Sequence, residues 1–287
     1  MPNGDSVLKG SKLQIADQDF SLFCEYLEQV CGILLAKHKQ YLVESRLGKI
    51  LSEHGDLSLG ELVTKLKRPG HSALQETVIN AMTTNETLWF RDTHPYEILK
   101  NKILPEFSEK NAYKRLKVWS AACSTGQEPY SISMIADEFK RENPGALRGD
   151  IDITATDICT RVLEQAKAAE YEMLALGRGL SEQRLTHFFE PGRNGSWAVK
   201  PEVRSKVRFR ELNLLGSYAG IGNVDLVFCR NVLIYFSTER KQEILRKIHK
   251  SLNPGGYLLL GASESVAELN DLFEMIHCRP GIIFKAK

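Results

Sequence analysis

The sequence has no stretch approaching the roughly 18 consecutive apolar residues of a membrane-crossing helix. Residues Met1 to Lys12 lack the apolar core of a secretory leader. The expected setting is therefore cytoplasmic, without membrane insertion. Six cysteines, at 24, 31, 123, 159, 229 and 278, never form a CxxC pair. That excludes a disulfide framework and leaves reduced thiols, mostly buried. Histidines are scattered, with no HExxH and no Cys/His cluster, so no metal centre is expected. Charge of one sign is also missing: 38 basic and 36 acidic residues are interspersed for a net +2, which gives no broad attraction to nucleic acid or anionic lipid. What is present, 287 residues of which 43% are hydrophobic and 26% charged, can build one large globular domain or two modest ones.

After a polar, aperiodic stretch expected to be a flexible tail (residues 1–15), helical spacing begins. Phe20, Phe23, Cys24, Leu27 and Val30 repeat every three to four residues. Leu42, Val43, Leu47, Ile50 and Leu51 do so again after a Lys/His-rich connection. Two shorter patterns, at 59–67 and 72–82, are separated by Pro69-Gly70. Residues 16–84 thus read as an all-helical domain and 85–114 as a linker with a connecting helix starting near Thr93. From 115 to 287 strands alternate with helices. Leu116 to Ala122, Ile151 to Asp157, Val224 to Cys229 and Gly256 to Gly261 are strand-like, with helices at about 129–141, 160–171 and 238–251 between them. This rhythm predicts an α/β fold with an open parallel, Rossmann-like sheet. It is interrupted at 172–206, where Phe188 to Gly192 and Ser196 to Lys200 flank Arg193-Asn194-Gly195 like a β-hairpin. That stretch reads as an inserted small antiparallel β-subdomain, with an elaborated surface loop as the alternative.

Three segments could carry chemistry. Val118 to Tyr130 runs from an apolar strand through small residues into a helix, which lets backbone approach a ligand at the strand's carboxyl end. A tight strand-to-helix turn explains it equally well, since a full GxGxxG is missing. Asp157 closes the next strand, where a carboxylate either accepts from ribose hydroxyls or caps the following helix. Leu252 to Gly261, a helix end, a Pro-Gly-Gly turn and a late strand, looks like a motif common in class I S-adenosylmethionine (SAM) methyltransferases.

Taken in order, Asn85-Glu86-Thr87 with Phe90-Arg91, Ser120 to Ser131 (SAACSTGQEPYS) and Phe228 to Phe236 (FCRNVLIYF) resemble the CheR family of chemotaxis receptor glutamate O-methyltransferases. The resemblance covers nearly the whole chain. Leu88-Trp89 and Cys123 are mild departures from the family pattern. It implies a class I SAM methyltransferase fold for the catalytic domain, preceded by an N-terminal all-helical domain and carrying an inserted β-subdomain. It also implies SAM as cofactor, S-adenosyl-L-homocysteine as product, no metal, and a role in sensory adaptation. The cofactor would be held by Asn85, Thr87, Arg91, Ala121, Gly126, Glu128, Asp157, Asn213, Leu214, Arg230 and Asn231, with Arg91 and Tyr235 nearest the reacting methyl. Capping or packing roles remain open for each. The implied partner is the cytoplasmic coiled-coil region of chemoreceptors, together with a receptor C-terminal peptide at the inserted β-subdomain. Lys39, Arg46 and Lys49 fall within about an 80° arc if 39–49 is one helix; they are candidates for docking that coiled coil, or a solvated face. A methyltransferase acting on a different protein or a small molecule, and a non-catalytic SAM-binding module, stay open as other readings.

Overall fold

The computed structural model describes residues 15–266 and 268–287. The tail expected at 1–15 lies outside them except for Ile15, which is buried and whose carbonyl accepts a hydrogen bond from the Gln40 side chain at 2.7 Å. The described chain divides into two compact units between Met82 and Thr83.

The first unit holds four helices: α1 (Asp17–Cys31), α2 (Gln40–Glu53), α3 (Leu59–Leu66) and α4 (Ser72–Met82). Their apolar stripes meet in a core that includes Phe23, Leu27, Val43, Leu47, Leu62 and Val78, all fully buried. The start of α3 is set by a reciprocal capping box between Ser58 and Glu61, which satisfies two otherwise orphaned amides. The expected basic arc is corrected here. Lys39 belongs to a 3-10 turn (Lys37–Lys39) with non-helical backbone, so helical arithmetic does not carry it onto the face of Arg46 and Lys49. Arg46 is half-buried and donates to the carbonyl of Met82 at 2.7 Å, covering the open end of α4. Lys49 is exposed and pairs with Glu53.

In the second unit the segment after Thr83 is not a tether. Trp89, Phe90, Tyr96, Leu99 and Leu104 are buried in the main core, and the chain passes through α5 (His94–Ile98), a π-helical turn (Leu99–Ile103) and α6 (Leu104–Asn111). Its aromatic residues need burial, which an exposed linker cannot provide. The sheet is then laid down by β1 (Leu116–Ala121), α7 (Gln127–Glu142), β2 (Ile151–Asp157) and α8 (Thr160–Ala168).

The insertion follows: β3 (Glu170–Tyr171), α9 (Met173–Leu176), α10 (Glu182–Phe188), β4 (Phe189–Pro191), β5 (Trp197–Val199) and α11 (Pro201–Arg204). Its three strands form a separate antiparallel sheet in the order β3-β5-β4. The turn between β4 and β5 has positive φ at Asn194 and Gly195, as a tight hairpin needs. Because α8 stops at Ala168, with Ala169 left-handed, the insertion's first strand begins at Glu170, inside the expected helix 160–171. Arg184 of α10 makes a two-pronged contact with Glu138 of α7 at 2.8 and 3.2 Å, and Lys100 reaches the same carboxylate.

The chain returns to the large sheet through β6 (Val207–Glu211), β7 (Val224–Cys229), α12 (Thr238–Ser251) and β8 (Leu252–Leu260). It ends in a hairpin, β9 (Phe273–Cys278) and β10 (Gly281–Ala286), which the sequence reading left unassigned. The order is β6-β2-β1-β7-β8-β10-β9, parallel from β6 to β8, with β10 antiparallel to both neighbours. Side chains alternate between two apolar layers. Val118, Leu226, Phe228 and Leu259 enter one; Trp119, Ala121, Val227, Cys229, Leu258 and Leu260 enter the other, beneath α12. Cover on both faces explains the nearly continuous apolar strands.

Trp89 anchors the segment after Thr83: its ring makes edge contacts with Tyr171 (4.9 Å) and Phe189 (5.2 Å) and is fully buried. Trp89→Ala should therefore lower stability by about 3–5 kcal/mol, read by urea unfolding. A loss below about 1 kcal/mol would return this segment to the status of a tether.

Candidate functional site

Chain order along the sheet reverses between β1 and β7: β2 and β6 lie to one side of β1, while β8 and the terminal hairpin lie beyond β7. Open parallel sheets bind ligands at the carboxyl ends of the strands at such a point. Ala121 and Cys229, the last residues of β1 and β7, are paired in register there, and Ala121 pairs with Thr156 of β2 on its other side.

Beyond Ala121 the chain turns through left-handed backbone at Ala122, Ser124 and Gly126. Gly126 is required twice over. Its φ is +94°, and a Cβ would lie 3.0 Å from both the Ala166 Cβ and the Tyr171 hydroxyl. Asp157 holds this loop: one carboxylate oxygen accepts from the Ser124 amide at 2.8 Å and the other from the Cys159 amide at 2.9 Å, with the Ile158 amide also directed to it. Burial pushes the carboxyl above its usual range, and these amides pull the other way. Asp157 is not the cap of α8, which starts at Thr160 with Cys159 as its N-cap. It ties loop to strand end, and of about four lone-pair positions three face backbone amides, leaving room for one further donor. Asn85 joins the same group, its carbonyl accepting from the Ser124 hydroxyl at 2.7 Å and its amide reaching the Cys159 sulfur.

A second group centres on Arg230, whose side chain is 2% exposed. It donates to Glu128 (3.2 Å), to Asp92 (2.6 Å) and to the carbonyl of Arg91 (2.9 Å). Glu128, in the first turn of α7, also accepts from the Ser120 hydroxyl at 2.8 Å. Desolvation works against the Arg230 charge, but Glu128, Tyr96 and Asp92 together outweigh it and hold the guanidinium above its ordinary pKa. Its Nε–H is buried with no partner among the described residues, a donor still to be satisfied. Arg91 itself is half-buried and donates to the carbonyl of Glu86.

Asn231 follows with φ 58° and leads into a 3-10 turn (Leu233–Tyr235) that places Tyr235 half-buried beside the second apolar layer. Thr87 is half-buried between Asn85 and Trp89. Asn213 and Leu214 lie beside the first group: Glu211 pairs in register with Asp157, and the Leu212 amide donates to the Asp157 carbonyl at 3.0 Å. They follow β6, where the Asn213 side chain accepts from the Leu215 amide and Leu214 is buried in the second layer. The sequence reading passed over two carboxylates that organise the region, Asp92 and Glu264. Asp92 stood beside the quoted Arg91. Glu264 had only a weak signal, an acidic residue just past the end of a buried strand.

Numbered within the sheet, the strands run 3-2-1-4-5-7-6 with the seventh reversed. With a small-residue loop after the first strand and an acidic residue ending the second, this defines a class I SAM-dependent methyltransferase. Residues 85–282 match the model for the CheR methyltransferase SAM binding domain, and 18–83 match that for the CheR methyltransferase all-alpha domain. The chain is 56% identical over 269 residues to chemotaxis protein methyltransferase Cher2 of Pseudomonas putida, covering 94% of this chain and 98% of that one. It is 55% identical to chemotaxis protein methyltransferase 1 of Pseudomonas aeruginosa (96% and 100% covered), and 35% identical to the chemotaxis protein methyltransferase of Escherichia coli (92% and 90% covered). The chain belongs to the CheR methyltransferase family.

The residues present fit a polar, charge-bearing cofactor: a carboxylate with one acceptor position open stands at one strand end, and a guanidinium N–H buried with no partner among the described residues stands at the next.

Removing Arg230 strands Glu128 in a buried position. Arg230→Met is therefore expected to cost about 3–5 kcal/mol, and adding Glu128→Leu should recover most of that loss, since an apolar pair has no charge to desolvate. Urea unfolding of the single and double variants measures it; a single-variant cost below about 1 kcal/mol would show that the pair does not organise this end of the sheet.

Proposed function

We propose that the protein transfers the methyl group of SAM to glutamate side chains in the cytoplasmic coiled-coil region of chemoreceptors, yielding glutamyl methyl esters and S-adenosylhomocysteine for sensory adaptation. The observation that carries this reading is the match to chemotaxis protein methyltransferases over nearly the full length of both chains. The receptors' cytoplasmic region sets the enzyme's location as the cytoplasm. When bound, the cofactor supplies a methyl group already activated on a sulfonium. The acceptor needs no activation either: a glutamate with a reference pKa near 4.3 is an anion at pH 7. The protein's task is then proximity, alignment and exclusion of water.

In this reading Asn85, Thr87, Ala121, Gly126, Glu128, Asp157, Asn213, Leu214, Arg230 and Asn231 bind the cofactor. Asp157 would take a ribose hydroxyl at its remaining acceptor position, and the free Nε–H of Arg230 suits an anionic group. Arg91 and Tyr235 would flank the acceptor carboxylate, Arg91 by charge and Tyr235 by its hydroxyl. Receptor docking would fall to the exposed Lys49 and to Lys39, with Arg46 retained as the cap of α4. The open edges of the β3-β5-β4 sheet would offer main-chain pairing to an extended receptor C-terminal peptide.

Incubation with methyl-tritiated SAM and receptor-bearing membranes should give label that base releases as methanol. Base-stable label would exclude a carboxyl ester and overturn the reading. Exposed ion pairs contribute about 0.2–1 kcal/mol each and weaken with salt. Lys39→Glu with Lys49→Glu should thus raise the receptor KM several-fold at low ionic strength and leave SAM affinity unchanged. Equal KM values for this variant and the parent would place receptor recognition elsewhere.

A further inference from the structure

Past the end of β7 the chain has little regular structure of its own: Arg230 and Asn231 lead into the single 3-10 turn Leu233–Tyr235. One side chain from another part of the sheet holds this segment. Glu264 lies four residues beyond the end of β8. Its Oε2 accepts from the amides of Asn231 and Gly261, each at 2.8 Å, and its Oε1 accepts from the amide of Ile234 at 3.3 Å. Three backbone donors from two neighbouring strand ends converge on one carboxylate. The contact is also sterically closed. A Cβ on Gly261 would meet Glu264 Oε2 at 2.8 Å and both the backbone and side-chain nitrogens of Asn231 at 2.9 Å.

This grip has two consequences. Asn231 is kept in the left-handed region, at φ 58°, with its amide turned to the carboxylate. The turn that follows leaves Ile234 49% exposed, an apolar side chain next to the half-buried Tyr235. The Glu264 charge also lies close enough to Glu128 and Cys229 to add to the rise that burial imposes on each, which puts it at the same end of the sheet as the Arg230 group.

We propose that Glu264 is a positioning residue for the methyl-transfer site. It fixes Asn231 on the cofactor side, and Ile234 and Tyr235 on the acceptor side, without itself touching the reacting atoms. The assignment rests on the roles given above to Asn231 and Tyr235. An acceptor-only group is needed because three N–H donors face it. A glutamine would turn an NH2 group toward at least one of them, and an aspartate would fall one methylene short.

The test uses the full chain and the variants Glu264→Gln and Glu264→Asp, with circular dichroism and thermal unfolding confirming the fold. In the wild type the Asn231 and Gly261 amide protons should resonate downfield, as donors to a carboxylate do, and in Glu264→Gln they should move upfield. SAM affinity by calorimetry should weaken by about 3- to 10-fold, and kcat for receptor methylation should fall by about 10-fold or more. In a Tyr235→Phe background the further loss of kcat should shrink to about 2-fold or less, because the carboxylate acts through that residue. Multiplicative losses in the double variant, or a lowered Tm with kcat and SAM affinity unchanged, would overturn the proposal. If the wild type esterifies no receptor glutamate, the proposed function falls. The amide shifts and SAM titration then decide the positioning role alone, and unchanged values in Glu264→Gln reject it. Should Glu264→Gln not fold, Glu264→Asp carries the same comparisons.

Discussion

A guanidinium with 2% of its side chain exposed keeps its charge and must find partners where water cannot reach it, and Arg230 draws two carboxylates from two other parts of the chain. Glu128 comes from the first turn of α7, Asp92 and the Arg91 carbonyl from the segment before α5, and Arg230 itself from the end of β7. The α7 and β7 pieces leave the sheet near its point of reversal, and the cluster fixes the segment before α5 against them. Breaking a buried pair costs far more than an exposed one because the surviving charge is left without water or partner. That asymmetry makes the cluster costly to open, so these segments are held together.

The same economy of polar groups runs through the neighbouring loop. Ala122, Ser124 and Asn231 all occupy left-handed backbone that non-glycine residues avoid, and all three sit at carboxyl ends of adjacent strands. Conformations of this sort persist where surrounding contacts over-determine them. Asp157 does so for the loop after β1 through the Ser124 amide, and Glu264 for the loop after β7 through the Asn231 amide. Backbone amides that would otherwise be orphaned are satisfied, and the loops become rigid enough to align two reactants whose own chemistry requires no acid or base from the protein.

The insertion shows the same division between local and distant causes. Its hairpin turn is written in Asn194-Gly195, but its attachment comes from Trp89 packing on Tyr171 and Phe189 and from Arg184 bound to Glu138. Because the Trp89 contacts reach back to the segment after Thr83, that segment packs into the sheet unit.

Period and punctuation in the sequence were enough to find the four helices of the first unit, the alternating strands and helices of the second, and the loop at 121–126, because apolar spacing, capping residues and glycines act within a few residues of themselves. The family motifs were legible for a related reason: cofactor-binding loops are short and contiguous. The terminal hairpin β9–β10 escaped, since β9 is a half-exposed edge strand with a weak apolar pattern and β10 offers only the short apolar run Ile282 to Phe284. So did the diversion of Arg46 to Met82, 36 residues away, and the pairing of Glu264 with Asn231, 33 residues away. Arg230 finds Glu128 across 102 residues. A polar side chain's partner over such distances is decided by which strand ends the topology makes adjacent, and burial then forces the pairing. The sequence therefore determined the elements and the class of chemistry, while the tertiary structure decided which charged side chains build the site and which only hold it in place.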